Sequence, residues 1–166
     1  MNRSTLRPAA PRSAADRARQ AVTVAERLAE AHPEARCSLD FATPFQLLLA
    51  TILSAQCTDK RVNAVTGALF RRWPTPQAMA AAELPEIEKM IHSTGFFRAK
   101  AKNIRACCQA LVERHGGEVP ESLEALVKLP GVGRKTANVV LGCAFQTAVG
   151  VAVSYTHLTL PTKRIV

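Results

Sequence analysis

The chain has 166 residues, enough for one domain or one and a fraction, and 48% of them are apolar, so a sizeable core is within reach. The formal net charge is +9, but residues 1–20 carry +4 of it and Lys163 with Arg164 another +2, which leaves +3 for everything between. Charge is therefore excluded as a sufficient argument for nucleic acid, and the longest apolar run, Val139 to Val153 with Gln146 inside it, is excluded as a membrane span.

The five cysteines are Cys37, Cys57, Cys107, Cys108 and Cys143. None stands in a C-x-x-C pair, and no histidine lies at zinc-finger spacing, so no metal site is read. An odd count without a secretory signal points to reduced thiols in a cytoplasm. Adjacent Cys107 and Cys108 read as small residues on a helix.

Residues 1–13 hold two prolines and several arginines without periodicity. They read as a disordered basic arm, a composition that a transit peptide shares. Ser13 to Ala31 has helical spacing, with Ala18, Val22, Ala25 and Ala29 on one side and Leu28 beside them. Pro33 ends it. Thr43-Pro44 is a cap followed by proline at the first helical position. The next ten residues are apolar almost all round, which predicts a central, buried helix. Thr58 or Asp59 caps a further helix to about Arg72, and Gln56 falls in the joint before it. Two short helices follow, Thr75–Ala82 and Glu83–His92, the second turning Leu84, Ile87 and Ile91 inward. Gly95 breaks the chain, and a long helix runs to about Arg114. Arg98, Lys100 and Lys102 alternate at its start, as either a phosphate-facing or a solvated edge. Gly116-Gly117 ends it. Strand alternation is absent, so the class is all-α.

The organising stretch comes next, Leu129-Pro130-Gly131-Val132-Gly133-Arg134-Lys135-Thr136-Ala137-Asn138-Val139-Val140. Pro-Gly-Val-Gly between two helical patterns reads as a tight helix-turn-helix joint. Gly131 and Gly133 allow positive φ and leave the backbone bare. A helix starting near Gly133 presents unpaired N–H groups to an anion, and Arg134 adds a charge that pairs with phosphate. Such a joint grips a nucleic-acid backbone without reading sequence. Lys135 sits in the first turn, where the helix dipole disfavours an ammonium and favours a nucleophilic amine. On spacing alone, an ordinary αα-hairpin carrying a surface lysine explains the stretch equally well.

LPGVGRKTANVV resembles the hairpin of the endonuclease III family, DNA glycosylases with abasic-site lyase activity. Leu53-Ser54-Ala55-Gln56-Cys57-Thr58-Asp59 and Ser93-Thr94-Gly95-Phe96-Phe97 are similar to that family too, and the likeness runs from about Ala25 to about Phe145. It implies a helical bundle with a helix-hairpin-helix over residues 14–153 and a duplex DNA partner carrying damaged bases or abasic sites. By that resemblance Lys135 is the catalytic nucleophile at the sugar C1′. Gln56 fills the gap left by an extruded nucleotide, and Phe96 wedges between bases. Gly131, Gly133 and Arg134 hold the backbone. Asp59 stands near the damaged-base pocket. Residue by residue, other readings stay open: Gln56 as a loop glutamine, Asp59 as a cap, Phe96 and Phe97 as core.

The chain also departs from the family. An aspartate in a V-D-T-H stretch follows the hairpin there, whereas Ser154 and Tyr155 stand here, with no aspartate after Asp59 and no acidic residue after Glu124. The family's four C-terminal cysteines, which hold a [4Fe–4S] cluster, have no counterparts among these five, so no cofactor is expected in this chain. Residues 154–166 resemble nothing in the family and read as an unrelated tail. The expectation is thus a C-terminally truncated, monomeric, cytoplasmic (nucleoid) repair glycosylase/lyase of impaired activity on oxidised pyrimidines. The alternative is a non-catalytic helix-hairpin-helix DNA-binding module.

Overall fold

The computed structural model describes residues 13–147, 149 and 150. The basic arm before Ser13 and the tail at 154–166 lie outside the described residues, as do Ser154 and Tyr155. Two compact units divide the chain, residues 1–36 and 37–166. Every regular element among the described residues is helical.

The first unit carries α1, Ala14–Ala31. A reciprocal box starts it: the Ser13 hydroxyl accepts from the Asp16 N–H, and the Asp16 carboxylate accepts from the Ser13 N–H, both at 3.1 Å. Arg19 adds a 2.6 Å ion pair to Asp16 one turn on. The apolar stripe expected along this helix buries nothing: Val22 and Leu28 are more than half exposed, and α1 has no buried residue.

In the second unit the order is α2 (Pro44–Leu53), α3 (Asp59–Arg72), α4 (Pro76–Ala80), α5 (Leu84–Ile91), a 3-10 turn (His92–Thr94), α6 (Phe97–His115), α7 (Leu123–Leu126) and α8 (Arg134–Ala144). Thr43 caps α2 by accepting from the Gln46 N–H at 3.2 Å, and Pro44 takes the first helical position. Phe45 and every residue from Leu47 to Leu53 are buried. This is the central helix that its all-round apolar sequence predicts, and α3, α6 and α8 pack against it. Leu47, Leu48, Leu49 and Leu53 are fully enclosed, each contributing about 2–3 kcal/mol of burial. Cys107 and Cys108 join the same core from α6.

Two helices are short, one of them shorter than its pattern suggests. Thr75 caps α4, which stops at Ala80 rather than Ala82, and the first hairpin arm, α7, is a single turn ending at Leu126. At both places bonds back to residue i−3 tighten the exit, Ala82 N–H to Met79 and Leu129 N–H to Leu126. The long helix α6 closes on Gly116 in the left-handed region, with the Gly117 N–H reaching the Leu111 carbonyl at 2.9 Å.

Candidate nucleic-acid interface

The hairpin is fastened by its apolar residues. Leu126, Leu129 and Val132 are buried on one side of the turn, and Ala137, Val140 and Leu141 on the other, so Gly131, Gly133, Arg134 and Lys135 stay outside. Gly131 has φ +76°, and a Cβ there would lie 2.9 Å from Cβ of Asn103 on α6. Glycine is required twice over, by the torsion and by the close approach. Gly133 corrects the expectation of two positive torsions: it caps α8 in extended backbone, φ −90° and ψ 173°. Its missing side chain serves a different end, since nothing lies within 4 Å of where a Cβ would project. No side chain caps α8, so its first turn is open to an anion.

Lys135 is the second residue of α8. It lines a cleft of about 520 Å³ together with Gln56, Cys57 and Asp59 from the joint between α2 and α3. A second cleft, about 320 Å³, is lined by Gln56, Phe96, Lys100, Asn103 and Gly131. Gln56 belongs to both. The three stretches, far apart in sequence, thus meet around one glutamine. Arg134 and Gly133 line neither cleft.

Local geometry separates the readings that the residues left open. Thr58, not Asp59, caps α3, its hydroxyl facing the Arg61 N–H at 3.4 Å. That leaves the Asp59 carboxylate to the cleft, where it accepts a hydrogen bond from the Ser38 hydroxyl. Asn63 fixes the same loop, donating to the Ser38 carbonyl at 2.9 Å and accepting from the Asp40 N–H at 3.0 Å. Gln56 holds φ +51° and Phe96 φ +48°, left-handed torsions that side chains seldom adopt. The neighbouring phenylalanines part company. Phe96 is 70% exposed, whereas Phe97 packs on the core with its ring 4.5 Å from that of His92 and the Arg98 guanidinium 5.5 Å away.

Sequence reasoning missed Lys100. Its alternation with Arg98 and Lys102 predicts a phosphate-facing or solvated edge, but it is only 5% exposed, and its ammonium donates to the Thr94 carbonyl at 2.7 Å. Desolvation pulls its pKa below the usual lysine value, and the nearby Cys57 thiol opposes that shift. The signal was present: Lys100 lies at helical spacing with Ile104, Cys107, Cys108 and Leu111, all buried.

Four of the cysteines lie in two pairs. Burial pushes the Cys107 thiol up to about 12 and the Cys108 thiol higher still, so both stay protonated in the core. Cys143 meets Cys37 in a thiol–thiol contact, its pKa raised by burial and then by that neighbour. Among the described residues no three His, Cys, Asp or Glu side chains gather as a metal would need. None of the described helices is long and apolar enough to cross a membrane.

Residues 49–157 match the family model described as HhH-GPD superfamily base excision DNA repair protein. Endonuclease III of Synechocystis sp. is 53% identical over 93% of this chain and 70% of its own. Endonuclease III of Bacillus subtilis is 45% identical over 84% of the chain, and that of Escherichia coli K12 48% over 72%. The chain spans 63% and 56% of those two relatives. It therefore belongs to the endonuclease III family. Among solved structures, a non-covalent endonuclease III–DNA complex superposes with a TM-score of 0.76 at 45% identity, covering 82% of this chain and 64% of that one. A trapped endonuclease III–DNA covalent intermediate gives 0.72 at 47%, covering 77% and 60%. A thermostable thymine-DNA glycosylase, 22% identical with a TM-score of 0.72 over 86% of this chain and 65% of that one, shares the fold.

Proposed function

We propose that the chain is a base-excision-repair enzyme of endonuclease III type, acting on duplex DNA that carries oxidised pyrimidines or abasic sites. The observation that carries the proposal is Lys135 and Gln56 lining one cleft, with Gln56 shared by the adjoining cleft of Phe96 and Gly131. The bare Gly131–Gly133 turn and the uncapped start of α8 grip a strand by its phosphates, with Arg134 beside them. Phe96 enters the stack and Gln56 occupies the space of the extruded nucleotide, offsetting part of the few kcal/mol that extrusion costs. The Lys135 amine attacks C1′. The N–C1′ bond forms as the bond to the base breaks, the base leaves with a proton, and the C1′–O4′ bond then opens with O4′ protonated; on an open abasic aldehyde the amine adds to C1′ and water leaves. The resulting Schiff base acidifies C2′, loses a proton there and expels the 3′ phosphate. Asp59, held by Ser38, faces the damaged base.

Base departure is the weak step in this reading, because Ser154 and Tyr155 stand where the family carries the aspartate that assists it. Lyase action on preformed abasic sites should therefore exceed release of a damaged base. The protein works as a cytoplasmic, nucleoid-associated monomer, and no step needs a cluster. Borohydride with abasic duplex is the test: a covalent adduct that disappears in Lys135→Ala supports the enzyme. Retention of DNA without an adduct in the parent chain would replace it with the second reading, a helix-hairpin-helix module that binds and does not cut.

A further inference from the structure

A buried ammonium is expensive. Desolvating a lysine costs several kcal/mol unless its donors are satisfied, and a methionine would fill much the same volume at no such cost. Core packing alone therefore does not account for Lys100. Its bonding partners do. The side-chain ammonium donates to the Thr94 carbonyl at 2.7 Å, and the backbone N–H donates to the Phe96 carbonyl at 3.1 Å. Between these two anchors lie Gly95 and Phe96, both at positive φ, +70° and +48°. The second of these anchors is the opening backbone bond of α6, which any residue at 100 makes, so what the lysine side chain adds is the fastening of Thr94, on the near side of the strained turn. Thr94 is itself fixed, 1% exposed, with its hydroxyl donating to the Ile91 carbonyl at 2.8 Å. Phe96 has no side-chain cap to hold it, and its ring projects into solvent. A left-handed torsion at a bulky residue is strained and persists only where its surroundings over-determine it. Lys100 also lines the cleft of Gln56, Phe96 and Gly131.

We propose that Lys100 is a positioning residue that locks the Gly95–Phe96 turn and so presents the exposed Phe96 ring to the base stack. The inference rests on the wedge role given to Phe96 above. It predicts that Lys100 acts through Phe96 and nowhere else, which a double-mutant cycle can read.

The experiment compares the parent chain, Lys100→Met, Phe96→Ala and the double variant. The ligands are a duplex with one tetrahydrofuran abasic analogue beside a 2-aminopurine, and an undamaged duplex. Lys100→Met is expected to weaken abasic-duplex binding about tenfold and to abolish the 2-aminopurine fluorescence rise. Affinity for undamaged duplex should change less than about twofold, and the double variant should bind no worse than Phe96→Ala alone. Lys100→Arg, which keeps a donor, should recover the fluorescence rise. Additive losses, or equal losses on both duplexes, would overturn the proposal by making Lys100 an ordinary core residue. If Phe96→Ala itself leaves the fluorescence rise intact, the wedge reading falls and this inference with it. If Phe96→Ala abolishes the rise and Lys100→Met does not, only the inference about Lys100 falls. Where Lys100→Met lacks the native circular dichroism spectrum, Lys100→Gln, too short to reach the Thr94 carbonyl, is judged by the same outcomes.

Discussion

Three turns bound the two clefts, and they solve one backbone problem in opposite ways. The hairpin turn uses glycine for its positive torsion, at Gly131, while the turns at Gln56 and Phe96 place full side chains in the same left-handed region. The difference follows the job each turn is offered. At the hairpin the useful groups are backbone amides, and a side chain would strike Asn103 and keep a phosphate at a distance. At the other two, the proposed roles require the side chain itself to reach DNA, which gives the strained torsions a use.

That contrast can be broken experimentally, beginning with the anchoring of the Gly95–Phe96 turn. Phe97→Ala should lower unfolding free energy by about 2–3 kcal/mol in urea titration, since its ring packs on His92 and the core. Phe96→Ala should stay within about 0.5 kcal/mol of the parent chain, because its ring is exposed. Equal losses from the two neighbours would contradict the division of labour. Gly131→Ala comes next, with about 1–2 kcal/mol of torsional strain and contact with Asn103. Its melting temperature should fall, and duplex affinity should fall further than the melt alone implies. Gln56→Gly should move in the opposite direction, gaining up to about 1 kcal/mol of stability as strain is relieved while losing affinity for abasic duplex. A Gln56→Gly protein that is both less stable and unimpaired in binding would refute the trade.

A control lies in the core, away from all three turns. The Cys107 thiol is raised from 9.0 to about 12 by burial. Its contribution to stability is complete below pH 9, where the unfolded thiol is also protonated. Between pH 9 and 12 the unfolded chain releases a proton that the folded chain keeps, so stability falls as pH rises. Cys108 acts in the same sense. The double variant Cys107→Ala/Cys108→Ala should show a flatter decline in urea midpoint across that window, whatever its absolute stability.

Much of this arrangement is legible in the amino-acid order because it is encoded locally. Thr43-Pro44 and Pro130-Gly131 announce their turns by side-chain hydrogen bonding and by permitted torsions, and α2 declares its burial by lacking a polar face. What escaped is what only the assembled helices decide. Whether Phe96 or Phe97 faces outward depends on a left-handed torsion at residue 96, which shifts the register of the helix that follows. Lys100 hid among charges because alternation with Arg98 and Lys102 looked like a surface. The period that mattered was the one linking it to Ile104 and Leu111. Gly133 does not take the positive torsion that the sequence allows it, because glycine by itself does not say which of its freedoms is in use.

The helix α1 carries one further consequence. It has a well-formed start and eighteen residues, yet it shields none of them, so its amides depend on the intrinsic helix–coil balance. Deuterium should replace its backbone protons long before those of α2, and a protease should nick Arg17, Arg19 or Arg27 while the leucine-rich centre still resists digestion.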